Sequence, residues 1–402
     1  MPVVKIALAL GFWLLAAAGC SSSNDIAFNT RELYSLPNAP YVAHLAAFGS
    51  EAELEPPSWF RKWIIGEDIK GVPTIIQPWG IAATKGRIYI NDGRAVSGYW
   101  ILDLAKRKLN LVRSGELRGS IGLTIDDRGF KFFAVPRLLE AKAKGISGTE
   151  KEKGAIVVYD TTDRQVQTAE FPGRPIALAV WRDRLFVTDV LNQRIVIMDK
   201  RTLKVLDSFG SSGGGDSEFR VPKAIAASED GRVFVGDTFN GRVKVFDVNG
   251  EFLSQYGHRS TLLGSFMNLT GVTVDREGRV YVVDAGARLK PLNEEVQVLD
   301  SNKFYLNGEK VAPLDSKPED RKNAVFGYFQ KPNALGNLED SQIAGSSLYR
   351  PLGIAIDYEN IGYFEKLMPA DSKFKIEYLL WMTSEAAVNG KNVSVFAFMS
   401  EL

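Results

Sequence analysis

Val221-Pro222-Lys223-Ala224-Ile225-Ala226-Ala227 runs through Glu229-Asp230-Gly231 into Arg232-Val233-Phe234-Val235-Gly236-Asp237. Asn240-Gly241 then leads into Arg242-Val243-Lys244-Val245-Phe246-Asp247. Short runs rich in β-branched and aromatic residues, broken by Gly-containing turns, read as an antiparallel meander. The pattern returns downstream as Thr270-Gly271-Val272-Thr273-Val274-Asp275, Gly278-Arg279-Val280-Tyr281-Val282-Val283-Asp284 and Val296-Gln297-Val298-Leu299-Asp300. Upstream it stands as Pro175-Ile176-Ala177-Leu178-Ala179-Val180, Arg184-Leu185-Phe186-Val187-Thr188-Asp189 and Arg194-Ile195-Val196-Ile197-Met198-Asp199. Asp189, Asp237 and Asp284 are 48 and 47 residues apart.

Three weaker copies extend the series. Pro78-Trp79-Gly80-Ile81-Ala82 precedes Arg87-Ile88-Tyr89-Ile90-Asn91-Asp92; Gly122-Leu123-Thr124-Ile125-Asp126 leads to Ile156-Val157-Val158-Tyr159-Asp160; Pro351-Leu352-Gly353-Ile354-Ala355 leads to Tyr378-Leu379-Leu380-Trp381-Met382. A four-stranded meander repeated every ~40–50 residues is a propeller blade, whereas β-helix rungs are far shorter. The expectation is an all-β fold, a six-bladed β-propeller of four-stranded antiparallel blades over residues 41–402. The stronger copies continue into a further strand ending in Phe209-Gly210 or Tyr256-Gly257, and the last copy lacks one before Leu402. Ala43-His44-Leu45-Ala46-Ala47-Phe48-Gly49 has that form. The expectation is that this N-terminal strand completes the last blade and removes an exposed edge.

The element Asp-x-x-Asn-x-Arg, present as Asp189, Asn192, Arg194 and as Asp237, Asn240, Arg242, resembles the NHL repeat, as do the Pro-x-Gly-Ile-Ala segments. The resemblance covers roughly residues 43–402. It implies a scaffold role for those six residues: the Asp caps a turn between strands and the Arg pairs nearby. With Trp59-Phe60-Arg61-Lys62-Trp63-Ile64-Ile65-Gly66, the chain resembles six-bladed propeller lipoproteins of bacterial envelopes.

The N-terminus carries the second specific signal. After Lys5, the run Ile6 to Ala18 is apolar, suited to a signal-peptide h-region and short for a membrane span. It ends in Leu15-Ala16-Ala17-Ala18-Gly19-Cys20, which resembles a lipobox, although Ala17 stands where Leu is usual. Cys20 is the chain's one cysteine. The reading is a signal peptide over 1–19, a lipidated tether over 20–40 and attachment to the membrane through Cys20. Ser21 after the cysteine suggests, by resemblance, the outer membrane, facing the periplasm.

Composition excludes more than it assigns. The 402 residues carry 49 Lys+Arg against 48 Asp+Glu, so no global field favours nucleic acid, and nucleic acid is not expected as a partner. A single cysteine excludes an internal disulfide and a multi-cysteine zinc site. Only two histidines are present, His44 and His258, with no acid–base partner near them in sequence. Ser211-Ser212-Gly213-Gly214-Gly215-Asp216 lacks the Lys-Ser/Thr of a phosphate-binding loop and reads as a hairpin loop. Charged, Gly- and Lys-rich 137–153 and the longer 301–349 read as long loops, which serve either partner binding or merely as floppy connections.

Six-bladed propellers also host calcium-dependent lactonases and esterases, and lyases. Those enzymes set carboxylates and His on the innermost strands. Here the residues leading into those strands are Gln77 and Trp79, Arg118 and Ser120, Arg174 and Ile176, Arg220 and Lys223, Asn268 and Thr270, Arg350 and Leu352. None is acidic, and a Ca²⁺ site needs several carboxylate oxygens. Neither a metal site nor a cofactor is expected. Trp79, Arg118, Arg174, Arg220, Lys223 and Arg350 are the candidate ligand-binding residues: cations that could focus a positive potential on an acidic ligand, and an aromatic platform. The expected function is a lipid-anchored binding or scaffold propeller for a protein, peptide or glycan. The alternative is a metal-dependent lactonase/esterase or a lyase-type enzyme on the same fold.

Overall fold

The computed structural model describes residues 41–51, 73–136, 153–259, 265–287, 290–300, 325–330, 351–366, 372–384 and 392–402, together with positions 34–35, 54, 305–306, 309–310 and 368. The signal-peptide assignment, the tether apart from Tyr34–Ser35, Cys20, Trp59–Gly66, Arg350 and most of 137–153 and 301–349 lie outside the described residues.

The meander around Asp237 forms as its pattern requires. Pro222–Ala227, Arg232–Asp237, Arg242–Asp247 and Phe252–Tyr256 pair antiparallel in chain order. Asp247 makes the last hairpin of this sheet, its carboxylate accepting from the N–H groups of Asn249 and Glu251, while Gly250 takes φ +90°. Asp and Gly suit such turns because Asp bonds its own backbone and Gly tolerates positive φ. Four-stranded antiparallel sheets also run from Ile81 to Arg113, Leu123 to Phe171, Pro175 to Phe209 and Leu269 to Gln330.

The remaining sheet closes the ring. Pro351–Asp357, Phe374–Ser384 and Val393–Glu401 are joined by Tyr41–Phe48, which pairs antiparallel with Val393–Glu401. The short strand Tyr34–Ser35 adds outside Tyr41–Phe48. The expectation of six four-stranded blades is therefore corrected: five blades are four-stranded, and the closing sheet has five strands because the N-terminal segment turns back on itself and covers its own edge. A second correction concerns 301–349. Val325–Gln330, inside that expected loop, is the outermost strand against Lys290–Asp300. Its antiparallel pairing covers an edge that would otherwise be left open.

Apolar cores fill the gaps between neighbouring sheets. Phe234, Val243 and Val245 meet Val272, Val280 and Val282; Phe186 and Ile197 meet Val233, Val235 and Phe246. Trp381, Leu379 and Val395 of the closing sheet meet Ile81, Ile88 and Trp100 of the first. The innermost strands approach so closely that their glycines Gly122 and Gly353 have no room to grow. A Cβ on Gly353 would stand 2.0 Å from the Trp79 carbonyl oxygen, and one on Gly122 2.4 Å from that of Ile176. The Thr383 hydroxyl seals this junction, donating to Trp79 O at 2.7 Å and accepting from Gly353 N–H at 2.9 Å.

Candidate functional site: the cation-rimmed mouth of the central channel

The innermost strands enclose a channel of about 310 Å³, lined by Trp79–Ala83, Ile121–Ile125, Ile176–Val180, Lys223–Ala227, Thr270–Val274 and Leu352–Ile356. Lys223 is the one ionisable side chain in this lining. The strands begin at one mouth, and the repeat motif is what builds it.

Each of four sheets sends a buried Asp from the end of its second strand to the loop that enters its first. Asp237 accepts from Arg220 N–H at 2.7 Å, from Asn240 Nδ2 at 2.7 Å and from Arg242 Nε at 3.0 Å. Asn240 and Arg242 donate onward to the carbonyls of Gly213 and Gly214 in the same incoming loop. Asp189 repeats the device with Arg174 N–H, Asn192 and Arg194, and the last two reach Pro172 O. Asp92 takes the N–H groups of Ile76 and Gln77 plus Trp100 Nε1, and Asp284 those of Met267 and Asn268. All four are fully buried. Burial raises the Asp92 pKa, a shift its hydrogen bonds only partly offset. These carboxylates are thus consumed in holding the loops that carry the mouth residues.

Of the six expected ligand-binding residues, the structure brings Trp79 and Lys223 into the channel wall. Arg118 and Arg220 are exposed just outside it and Arg174 is half-buried. Trp79 is half-buried rather than a core residue, with the Arg94 guanidinium over its ring at 5.1 Å. Lys223 Nζ lies 5.4 Å from the centroid of Phe239, whose other cation neighbour, Arg259, is at 5.8 Å. Sequence reasoning missed Arg94, Leu191, Phe239 and Arg259. The signal for three of them was present: Arg94, Leu191 and Phe239 each stand two residues after a capping Asp, so the repeat sets them at one rim. Arg259 gives no such signal.

The Gly-rich segment is not a hairpin loop. Ser211–Ser212 and Glu218–Phe219 pair in parallel, within the connection between two sheets. Its carbonyls at Gly215, Asp216 and Glu218 all accept from Lys244 Nζ, which is fully buried over the Phe219 ring. Burial, with the neighbouring Arg242 charge, lowers the Lys244 pKa to about 8. The tethered ammonium fixes this loop from beneath, as a bound cation would. Neither histidine reaches the channel lining: His44 lies on the closing strand, and the His258 ring faces the buried Ser265 hydroxyl at 3.2 Å. Among the described residues, no group of three or more His, Cys, Asp or Glu is placed to hold a metal ion.

No family model matches the chain. Lin-41 of Caenorhabditis elegans is 44% identical over 48 residues, which is 12% of this chain and 4% of that protein's length. A protein of unknown function from Bacteroides thetaiotaomicron is structurally similar at TM-score 0.50 and 16% identity, over 89% of this chain and 76% of that one. A catalytically inactive virginiamycin B lyase from Staphylococcus aureus with quinupristin matches at TM-score 0.47 and 13% identity, over 81% and 96%. Propellers named as a gluconolactonase and a regucalcin also match, below 0.5. The strand topology and the likeness to the Bacteroides protein agree on the fold: the chain is an all-β propeller of four-stranded antiparallel blades.

Proposed function

We propose that the chain is a binding propeller whose channel mouth holds an acidic protein, peptide or glycan. One observation carries this reading: the four carboxylates that cap the mouth loops are buried and bonded to backbone N–H groups, whereas Arg94, Arg118, Arg220 and Arg259 stand exposed around it with Lys223 at the channel wall. Cations gathered at a concave opening focus a positive potential although the whole chain is nearly neutral. The test is fluorescence anisotropy of residues 21–402 with labelled acidic and basic peptides and an acidic glycan. An acidic probe should bind, weaken with salt and weaken further in Arg118→Gln/Arg220→Gln. Equal binding of acidic and basic probes, or none, overturns the reading.

A second reading is an enzyme of lactonase, esterase or lyase type working at the same mouth. The names of the structural neighbours favour it over a scaffold. The channel wall offers it no carboxylate or histidine, so the chemistry would need groups from outside that wall. Calorimetry with Ca²⁺ on EDTA-treated protein separates the two readings: stoichiometric heat at micromolar metal supports the metal-dependent enzyme.

The proposed setting is the bacterial envelope, with the propeller held to the outer membrane through lipid on Cys20. Among the described residues, no helix is long and apolar enough to cross a membrane. Several acyl chains give lasting attachment where one does not. Radiolabelled palmitate should enter the expressed full chain and be lost in Cys20→Ser; equal labelling of both rejects the anchor.

A further inference from the structure

Phe239 is the residue of the mouth that a solvent-facing surface explains least. It is 50% exposed, yet its backbone is pinned, its N–H donating to Arg220 O at 3.0 Å. Its ring is flanked by Lys223 and Arg259. Leu191, at the same position of the preceding sheet, is 43% exposed. A singly exposed apolar side chain is ordinary. Two at the rim of one basic opening, each set two residues after a buried capping Asp, are a repeated presentation.

Backbone strain marks the same spot. Val221, between Arg220 and Pro222, has φ +57°, a conformation that a β-branched residue adopts only under constraint. The constraint comes from the neighbouring sheet: Gln193, two residues beyond Leu191, accepts the Val221 N–H with its side chain. Such strain persists where surroundings over-determine it, and it clusters at ligand-binding sites. Here it turns the chain between exposed Arg220 and channel-facing Lys223.

We propose that this pole, formed by Phe239, Leu191, Lys223 and Arg259, is a recognition site for an acidic peptide segment of a partner protein carrying a Phe- or Leu-type side chain beside its carboxylates. The inference rests on the acidic-ligand reading of the mouth and narrows it. Charge complementarity selects the acid: two cations border the ring. The exposed Phe239 ring and Leu191, apolar side chains at equivalent positions of adjacent sheets, select a peptide with apolar side chains over an anionic glycan or nucleic acid, neither of which presents an aliphatic side chain to them.

The experiment measures anisotropy of four labelled probes on residues 21–402: a peptide alternating Glu with Leu and Phe, one alternating Glu with Ser, alginate and oligouridylate. Phe239→Ala and Arg118→Gln/Arg220→Gln are compared with the parent protein, and thermal melts show that each variant is folded. Phe239→Ala should weaken the Glu-Leu-Phe peptide by about ten-fold or more, in the range for truncating an aromatic anchor, and leave the Glu-Ser peptide unchanged. The double Arg variant should weaken both peptides. If Phe239→Ala binds both peptides as the parent does while the Arg variant loses them, the pole is wrong and the acidic mouth stands. If the parent binds alginate or oligouridylate more tightly than the Glu-Leu-Phe peptide, the peptide class is overturned. If no probe binds, both fall.

Discussion

Asp237 accepts the backbone N–H of Arg220 on one carboxylate oxygen and the Arg242 guanidinium on the other, at 2.7 and 3.0 Å. One buried side chain therefore ties the third strand of its sheet to the loop that delivers the mouth. Removing it leaves the Arg242 Nε and the Arg220 N–H without their carboxylate acceptor. Asp237→Ala should cost about 3–5 kcal/mol, the range for breaking a buried pair from one side. Urea unfolding followed by tryptophan fluorescence checks this; a loss below about 1 kcal/mol would mean that water replaces the carboxylate.

Lys244 makes stability pH-dependent in an unusual direction. Its folded pKa, about 8, lies below the ordinary 10.5, because burial disfavours the charged form. Between those values the unfolded chain holds the proton that the folded chain has released, so stability rises with pH across that window. Below pH 8 both states are protonated and the contribution is flat. Melting temperatures of the parent and Lys244→Met should therefore diverge in the parent's favour from pH 8 to 10.5. Parallel profiles would show that the three carbonyls hold the ammonium charged throughout.

Gly353 sets the tightest approach between the closing sheet and the first. Gly353→Ala forces a methyl group onto the Trp79 carbonyl and should destabilise by about 1–3 kcal/mol, as overpacking does. Gly362, whose added Cβ would meet nothing within 4 Å, is the control: Gly362→Ala should melt within a degree or two of the parent protein. Equal effects at both positions would remove the argument that the small residues define the ring.

The closing strand should be indispensable. Deleting residues 41–49 strips Tyr41–Phe48 from Val393–Glu401 and leaves a long apolar edge, a template for pairing with another chain. Light scattering should show aggregation of the deletion, and adding a synthetic 41–49 peptide should reduce it. A monomeric deletion that melts like the parent would show that closure does not depend on this strand.

The fold was legible because its signals are local and repeated. Runs of β-branched residues between Gly turns dictate strands, and the recurrence of Asp189, Asp237 and Asp284 dictates the meander. The strand Val325–Gln330 was not legible, because nothing local separates an edge strand from an apolar stretch of a long connection. The mouth was legible in part. Lys223 and Trp79 follow from their place at the start of innermost strands, whereas Arg259 reaches the Phe239 ring only because the loop after Tyr256 folds over Gly241, whose added Cβ would stand 2.5 Å from Arg259 Cα.

The sequence by itself determined the strands of the repeat, the closing segment and the acid-poor wall of the channel. All of these depend on residue type and on spacing along the chain. Only the tertiary structure decided which charges remain available at the mouth. Whether a carboxylate caps a loop or faces a ligand depends on which N–H groups lie within 3 Å of it, and at Asp237 and Asp92 those belong to residues 15 to 17 positions away. The strain at Val221 was decided by a contact between sheets, and the cations around Phe239 by the way the connections of its own sheet fold over one another.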